Sequence, residues 1–256
     1  MSDDLRRAIA FEEALRDSAV DRAEPFRFGE ALFTDSLPRV WDANLLRIER
    51  ANGASAAELA AEADRVQGGA GLQHRKLAVL DAREGERLAP GFQELGWNAT
   101  RFLFMAHRGK PTRFPAASAV EVEADVPRPL RERIARDEPW ARGEEDVRQV
   151  LESAKRIAAA GSARYFAVLE EGAVASCADL YSDGQTAQIE DVATLPAFRG
   201  RGYASAVVLA ALAAARRDRH DFVFLVADEG DWPKELYARL GFEPLGRTFE
   251  FLRKPS

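Results

Sequence analysis

Hydrophobic positions along the chain change repeatedly between a helical spacing of three to four residues and short, nearly continuous apolar runs. The first pattern is typical of amphipathic helices and the second of buried strands. Helices are predicted at residues 3–17, 55–66, 84–95, 130–136, 147–160, 203–217 and 232–240. Strands are predicted at residues 26–33, 44–48, 76–81, 101–107, 164–170, 173–181, 185–195, 222–227 and 248–252. Because strands and helices interleave throughout, the predicted fold class is α/β, an α+β arrangement around a mixed sheet.

Polar residues and glycines define several element ends. Ser55 precedes a helical run and Glu58 follows three residues later, which is the spacing of a capping box. Glu171 and Gly172 separate two strand-like runs and predict a hairpin turn. Gly241 follows the last helical run and is expected to end that helix.

The two halves of the chain end alike. FQELGWNATRFLFM, from Phe92, and YARLGFEPLGRTFEFL, from Tyr237, each carry an aromatic residue, a Leu-Gly-aromatic triplet and a strand. A tandem duplication explains this pattern, although helix-Gly-strand is also a common way to end a helix. Residues 108–115 (RGKPTRFP) have no periodicity and are expected to form a linker. The predicted domains are therefore residues 1–115 and 116–256.

Composition narrows the classes of function. The chain has 256 residues, of which 46% are hydrophobic, enough for a real core and against disorder throughout. The net charge is −6, so no global basic field attracts nucleic acid and no nucleic-acid partner is expected. One cysteine excludes an internal disulfide framework, and with three scattered histidines no metal site is expected.

Apolar stretches that would direct the chain to a membrane are not recognisable. The first 17 residues are charged throughout and do not resemble a signal peptide. The longest uncharged apolar candidate, residues 204–215, is too short to span a bilayer. We therefore expect a cytoplasmic protein with no membrane partner.

The most informative segment is Ile189–Arg217, which reads as a strand, a Pro-marked turn, a Gly- and Arg-rich loop and an Ala-rich helix. Gly200 and Gly202 allow the backbone to curl so that successive N–H groups point into one concavity. The helix start near Tyr203 adds unpaired N–H groups and a positive dipole end, and Arg199 and Arg201 add charge. These features together predict a pyrophosphate-binding cradle.

A dinucleotide-binding loop is a rival interpretation, because Gly200-x-Gly202-x-x-Ser205 imitates its first two glycines. The third glycine is absent, and Asp228 lies farther along the chain than the acidic residue of that fold. Too few residues follow the loop to supply the remaining strands. The sequence therefore disfavours this alternative.

VATLPAFRGRGYA closely resembles the acetyl-CoA loop of the GNAT superfamily of N-acetyltransferases, whose signature Gln/Arg-x-x-Gly-x-Gly/Ala matches Arg199, Gly202 and Ala204. LYARLGF, residues 236–242, resembles a second mark of that superfamily. The resemblance covers about residues 118–254, and a degenerate version without a phosphate loop covers about 26–110. It implies two GNAT-like acyl-CoA N-acyltransferase domains in tandem, with acetyl-CoA as co-substrate.

The resemblance also implies binding roles. The strand Asp191–Leu195 should splay from its neighbour and free backbone groups for the pantetheine arm. One freed N–H, that of Val192, would polarise the thioester carbonyl. Backbone N–H groups from Arg199 through Ser205 would hold the pyrophosphate. The expected cofactor-binding residues are Val192, Ala193, Thr194, Arg199, Gly200, Arg201, Gly202, Tyr203, Ala204 and Ser205.

Two side chains are candidates for catalysis. An amine with a pKa near ~10.4 is almost fully charged at neutral pH, so a general base helps. Strand alternation would put Glu190, Val192 and Thr194 on one face, with Asp191 on the other, so Glu190 is the first choice. The resemblance makes Tyr237 the general acid for the departing thiolate. The first half has Phe92 at that place and is expected to be inactive.

The predicted function is N-acetyl transfer from acetyl-CoA to a primary amine by direct attack. The acceptor is expected to be a small molecule or a protein amine, and the protein a monomer or homodimer. The acidic turn Asp228–Asp231 hints at a cationic acceptor, although such a turn can simply be solvated. Two alternatives stay open: an acyl-CoA-binding regulatory or partner-docking module without turnover, and an enzyme for a longer acyl donor.

Overall fold

Helices and strands alternate as expected in a computed structural model, which describes residues 1–112 and 114–255. Arg113, in the predicted linker, and Ser256, the last residue of the predicted second domain, lie outside the described residues. The helices are α1 (Asp3–Ala19), α2 (Ala56–Gly69), α3 (Ala82–Glu94), α4 (Arg128–Asp137), α5 (Glu144–Ala160), α6 (Tyr203–Arg217) and α7 (Pro233–Arg239). The strands are β1 (Arg22–Phe26), β2 (Gly29–Phe33), β3 (Leu45–Ile48), β4 (Arg75–Val79), β5 (Asn98–His107), β6 (Val120–Val122), β7 (Arg164–Glu170), β8 (Ala173–Ser182), β9 (Thr186–Thr194), β10 (Phe222–Asp228) and β11 (Phe242–Arg253).

The chain folds into two units that are not simply its two halves. Unit 1 contains residues 1–104, 227–231 and 245–255, and unit 2 contains residues 105–226 and 232–244. The C-terminal residues therefore belong to the first unit. The boundary between the two sequence repeats, placed between residues 115 and 116, stays a prediction.

Unit 1 is built on the strand order β1-β2-β3-β4-β11. Strands β1, β2 and β3 are antiparallel neighbours, β3 and β4 are parallel and are joined through α2, and β11 runs antiparallel to β4. The ring of Phe251, on β11, stacks on Phe92 of α3 with centroids 4.2 Å apart. A Cβ on Gly85 would come within 2.1 Å of the Phe249 ring, so α3 needs glycine there to approach β11. The C-terminal strand is thus part of the core of unit 1.

Unit 2 repeats this topology. Strands β7, β8 and β9 are antiparallel neighbours, and β9 is parallel to β10 after a connection through α6. Strand β6 adds an antiparallel edge beside β7. The same succession of pairings, with a helix crossing between the two parallel strands, occurs in both units. This agreement confirms two folds of one kind in tandem.

Several elements differ from the sequence prediction. The single strand expected at residues 26–33 covers the last residue of β1, the turn after it and all of β2. Strand β6 was not predicted. The expected linker is bonded into unit 2, because the N–H groups of Arg108 and Gly109 donate to the carbonyl of Gly241 at 3.0 and 2.9 Å. Thr112 N–H likewise donates to the Arg239 carbonyl at 2.9 Å. Residues 108–112 are therefore a packed segment of unit 2.

A search for membrane-spanning helices was negative for the described part of the chain: none is both long and apolar enough to cross a bilayer.

Candidate functional site

The parallel strands β9 and β10 separate partway along their length. Their pairing covers only Thr186 to Gln188 on β9 and Phe222 to Phe224 on β10. Strand β9 continues to Thr194 and β10 to Asp228. The splay predicted for this strand is therefore present, and it opens a slot between two strands of unit 2. Val192, Ala193 and Thr194 lie along this opening and are half-buried.

A β-bulge lies at the start of the slot. On the β8 side, Glu190 pairs with Asp179 but Ala193 pairs with Cys177, so β9 carries one extra residue. Asp191 absorbs it in the left-handed region, with φ +51°. A bulge breaks the alternation of side chains between the two faces of a strand.

The bulge corrects the expectation that Glu190 and Thr194 share one face. Thr194 pairs with Ser176, which is an odd number of residues from Asp179, the partner of Glu190. Paired side chains in an antiparallel ladder share a face, so Glu190 and Thr194 point to opposite faces. Simple alternation failed because it assumed an unbroken strand.

The expected direction of Asp191 is also wrong. Its carboxylate accepts from the Tyr181 hydroxyl at 3.5 Å, and the same hydroxyl lies 3.4 Å from Asp179. Tyr181 and Asp179 are two residues apart and share the face on which Glu190 lies. The bulge thus brings both Glu190 and Asp191 to one side of the sheet.

The loop after β9 ends at an uncapped helix. Gly200 and Gly202 adopt φ +78° and +81°, conformations that favour glycine. Gly202 is the N-cap of α6, no side chain caps the helix, and its first turn has no acidic residue. A Cβ on Gly202 would lie 3.4 Å from Pro115. The open N–H groups and the positive end of the helix dipole fit an anionic phosphate.

The arginines and the tyrosine of the loop hold its shape. Arg199 Nε donates to the Thr194 carbonyl at 3.3 Å, and the guanidinium of Arg201 lies 5.3 Å from the Phe198 ring. The Tyr203 hydroxyl donates to the Glu170 carboxylate, which raises the pKa of the phenol. Ala204 and Ser205 continue the first turn of α6. All the residues expected to form the phosphate cradle therefore lie together.

The equivalent position in unit 1 is closed. Helix α2 follows β3 as α6 follows β9, but Ser55 and Glu58 form the predicted capping box at its N-terminus. The Glu58 carboxylate accepts from Ser55 N–H at 2.8 Å, and these bonds lower its pKa. Strands β3 and β4 also stay paired to the last residue of β3, Ile48. Unit 1 has neither an open helix end nor a slot at the place where unit 2 has both.

The structure places Tyr237 within the electrostatic influence of Glu190. Tyr237, on α7, is buried and packs edge-on against Phe242 with ring centroids 6.3 Å apart. Burial raises the pKa of its phenol, and the negative charge of Glu190 raises it further. Glu190 accepts from the side-chain amide of Gln188 at 2.7 Å. The phenol is therefore held in its protonated form.

Sequence reasoning missed a buried polar cluster behind the bulge. Asp179 is fully buried and forms an ion pair with Arg131, while Tyr181 lies between Asp179 and Asp191. Burial raises the pKa of Asp179 to about 7, the charge of Asp191 adds to this rise, and Arg131 opposes it. An aspartate inside an otherwise apolar strand, in ASCADLY, was the signal that could have identified the cluster.

Other candidates have structural partners. Glu229, in the acidic turn, is paired with Arg247 at 2.7 Å and Arg101 at 3.5 Å. Cys177 is buried as expected, and burial raises the pKa of its thiol to about 12. Within residues 1–112 and 114–255, no group of three or more His, Cys, Asp or Glu side chains could hold a metal ion.

Comparison with known proteins identifies the second unit. Residues 128–242 match the model of the acetyltransferase (GNAT) family. No curated protein matches the chain. The matched residues include the slot, the bulge, the glycine loop and Tyr237.

Solved structures share the fold over most of the chain. A GCN5-related N-acetyltransferase from Kribbella flavida covers 100% of this chain and 97% of its own, with a TM-score of 0.63 and 19% identity. A functionally unknown protein from Staphylococcus epidermidis covers 93% and 95%, with a TM-score of 0.69 and 14% identity. A tandem GNAT protein from the clavulanic acid biosynthesis pathway covers 82% and 75%, with a TM-score of 0.52 and 18% identity.

These likenesses extend beyond the matched residues and include a protein with two such domains. Both units of this chain have the same succession of strand pairings, and only the second has the open loop and the slot. Residues 128–242 therefore form a domain of the acetyltransferase (GNAT) family, in a chain whose fold is that of two GNAT-like units in tandem.

Proposed function

We propose that unit 2 transfers an acetyl group from acetyl-CoA to a primary amine by direct attack, without a covalent enzyme intermediate. The observation that carries this proposal is that the splayed end of β9 leads directly into the uncapped N-terminus of α6. A slot beside an anion-binding helix end suits a thioester on a phosphate-bearing carrier.

The proposed binding roles follow the geometry of the slot. Backbone N–H groups from Arg199 to Ser205 would hold the pyrophosphate. The backbone of Val192, Ala193 and Thr194 would contact the pantetheine arm along the unpaired edge of β9. The N–H of Val192 would stabilise negative charge on the thioester oxygen during attack. The co-substrate supplies the activated acetyl group.

The catalytic proposal uses Glu190 and Tyr237, whose charges influence each other. Glu190 would take the proton of the acceptor ammonium, directly or through water, and so free the lone pair of the nitrogen. Tyr237 would donate a hydrogen bond to the departing sulfur. Because its raised pKa exceeds the ~8.5 of a free thiol, Tyr237 stabilises the developing thiolate more effectively as a hydrogen-bond donor than by complete proton transfer.

The acceptor is proposed to be a small molecule or a protein amine, handled by a monomer or homodimer. Unit 1 is proposed to be catalytically inactive, since Glu58 occupies its helix end and its strands do not separate. A single buried, unpaired cysteine fits a reducing, cytoplasmic environment.

Turnover and binding together test the proposal. A panel of amines is incubated with acetyl-CoA and the release of CoA thiol is followed. Tyr237→Phe is expected to lower kcat by about a hundredfold without changing the Kd for acetyl-CoA, because the hydroxyl acts on the leaving group. Binding of acetyl-CoA without turnover of any amine would favour an acyl-CoA-binding regulatory or docking module. Turnover only with longer acyl donors would change the donor and leave the site in place.

A further inference from the structure

The buried cluster behind the bulge has no role in the mechanism proposed so far. Asp179 and Tyr181, on β8, are 0% and 2% exposed, whereas Asp191 on β9 is exposed to solvent. Arg131, on α4, forms an ion pair with Asp179. A continuous polar connection therefore runs from the exposed carboxylate of Asp191 on β9 to the fully buried carboxyl group of Asp179.

Tyr181 is the middle member of this connection. Its hydroxyl oxygen lies 3.5 Å from Oδ2 of Asp191 and 3.4 Å from Oδ2 of Asp179. One hydroxyl has one proton, so it donates to one carboxylate and accepts from the other when that carboxyl is protonated. Hydrogen bonds of this length in a site without substrate commonly shorten when the substrate is bound.

We propose that Tyr181 relays a proton between Asp191 and Asp179, so that Asp191 is a second proton acceptor for the attacking amine and Asp179 stores the proton. The inference rests on the proposed function. In the relay, an N–H bond of the ammonium breaks and an O–H bond forms on Asp191. Asp191 then protonates the Tyr181 oxygen while the Tyr181 proton passes to Asp179. Asp191 is again a carboxylate, Tyr181 is neutral, and the nitrogen lone pair is free.

The surroundings of Asp179 favour storage there. The groups that face it are Arg131 from α4, Tyr165 from β7, Cys177 and Tyr181 from β8, and Glu190 and Asp191 from β9. Burial and the negative charge of Asp191 raise the pKa of Asp179 to about 7, against the ordinary ~3.9 of an aspartate. A proton is therefore held more tightly on Asp179 than on a solvated aspartate, and the carboxylate is still available near neutral pH.

The first test separates the relay hydroxyl from a neighbouring one. Tyr181→Phe removes the hydroxyl and keeps the ring, and Tyr165→Phe is the matched control, because Tyr165 also lies beside Arg131 and Asp179. We expect Tyr181→Phe and Asp179→Asn to lower kcat by about tenfold or more, with an unchanged KM for acetyl-CoA. Both should remove the inflection near pH 7 from the pH profile of kcat. Wild-type kcat and pH profile in Tyr181→Phe would overturn the relay and leave the proposed function standing.

The second test does not depend on turnover. In protein carrying ¹³C-labelled aspartate carboxyls, one carboxyl signal should titrate near pH 7 and be absent from Asp179→Asn. Asp191→Asn should move that titration to lower pH, because it removes a negative charge, and Tyr181→Phe should move it to higher pH, because it removes a donor to the carboxylate. If neither variant moves the titration, the Asp191–Tyr181–Asp179 connection is overturned. Opposite shifts in the two variants would support that connection, and both results can be obtained even if no amine substrate is found.

Discussion

Asp191 shows how much one residue changes the site. A non-glycine residue in the left-handed region costs about 1–2 kcal/mol, and here it turns two neighbouring carboxylates to the same side of β9. The Tyr181 hydroxyl donates to the Asp191 carboxylate and so fixes the direction of that side chain. The strain is thus located where the strand must leave its neighbour and open the slot, a position in which backbone strain commonly serves function.

The sequence predicted which residues lie in the candidate site better than it predicted the directions of their side chains. The loop motif predicted Arg199, Gly202 and Ala204, and Tyr237 was indicated by the second motif. The orientations of Asp191 and Thr194 were wrong, because a bulge depends on pairing with β8 and has no local signature in β9. Asp179 was missed because its partner Arg131 lies on a distant helix, and only the fold brings the two together.

Gly202 is expected to be indispensable for binding. Gly202→Trp should abolish binding of acetyl-CoA, because the side chain fills the cradle beside Pro115, and we measure this by calorimetry. Gly172→Ala is the matched control, since Gly172 also has a positive φ of +82° but lies in the β7–β8 turn. It should lower the stability of unit 2 by about 1–2 kcal/mol without changing the affinity. Unchanged affinity in Gly202→Trp would contradict the assignment of the loop.

His74 predicts how unit 1 responds to acid. It is buried, its Nε2–H donates to the Asn44 carbonyl at 2.9 Å, and burial lowers its pKa to about 4. Because its unfolded pKa is about 6.5, the unfolded chain binds the proton more tightly. The stability from neutral His74 is complete above pH 6.5 and is lost toward pH 4, a change of about 3 kcal/mol. Urea unfolding between pH 7.5 and 5 should show that the free energy of unfolding changes less with pH in His74→Gln than in the wild type. An equal slope in both proteins would exclude this role.

At the scale of elements, α2 and α6 occupy the same place in the two repeats and differ in their first turns. Helix α2 is closed by Ser55 and Glu58, whereas α6 begins after Gly202 with no side-chain cap. The capping box stabilises α2 and places the negative charge of Glu58 at the helix N-terminus, where it disfavours a phosphate. The open start of α6 keeps its N–H groups available at some cost in helix stability.

The two helix ends should therefore respond differently to substitution. Ser55→Ala removes one half of the capping box and should lower the stability of unit 1 by about 1 kcal/mol. The affinity for acetyl-CoA should stay at the wild-type value, because α2 is not expected to hold the phosphate. Urea unfolding and calorimetry measure the two quantities. Weaker binding of acetyl-CoA would show that unit 1 contributes to the site.

Helices were predicted more accurately than strands. The predicted start and end of α6 agree with the structure, and the capping box at Ser55 marked the start of α2. The hairpin β1–β2 was read as one strand because Arg27 and Phe28 carry no turn signal. Gly29, directly after the turn, is required by the neighbouring strand β3, because a Cβ there would lie 2.1 Å from the Arg47 carbonyl. Contacts made through the fold, and not local propensity, decide such positions.

At the scale of the whole chain, unit 1 is completed by the C-terminal residues. Strand β11 pairs with β4 from Phe249 to Arg253 and buries the rings of Phe249 and Phe251. The order of residues along the chain did not indicate that β11 belongs to unit 1, because a strand at the end of the second half would ordinarily be assigned to that half. The stability of unit 1 therefore depends on the last residues of the chain.

Residues 1–115 alone are therefore expected to fold poorly. Losing a buried phenylalanine ring typically costs about 3–5 kcal/mol, and two such rings approach the total stability of a small domain, about 5–15 kcal/mol. Circular dichroism during urea unfolding should show no cooperative transition for this fragment, whereas the full chain should unfold cooperatively. A fragment that unfolds at the same urea concentration as unit 1 of the full chain would contradict the role of β11.

The central claim is that one unit of this chain binds acetyl-CoA and the other does not. Calorimetric titration of acetyl-CoA into the purified full chain, with NADH as the control ligand, tests it most directly. We predict one acetyl-CoA bound per chain and no binding of NADH. Two acetyl-CoA molecules per chain would contradict the closed first unit, and no binding of acetyl-CoA would contradict the proposed site in the second.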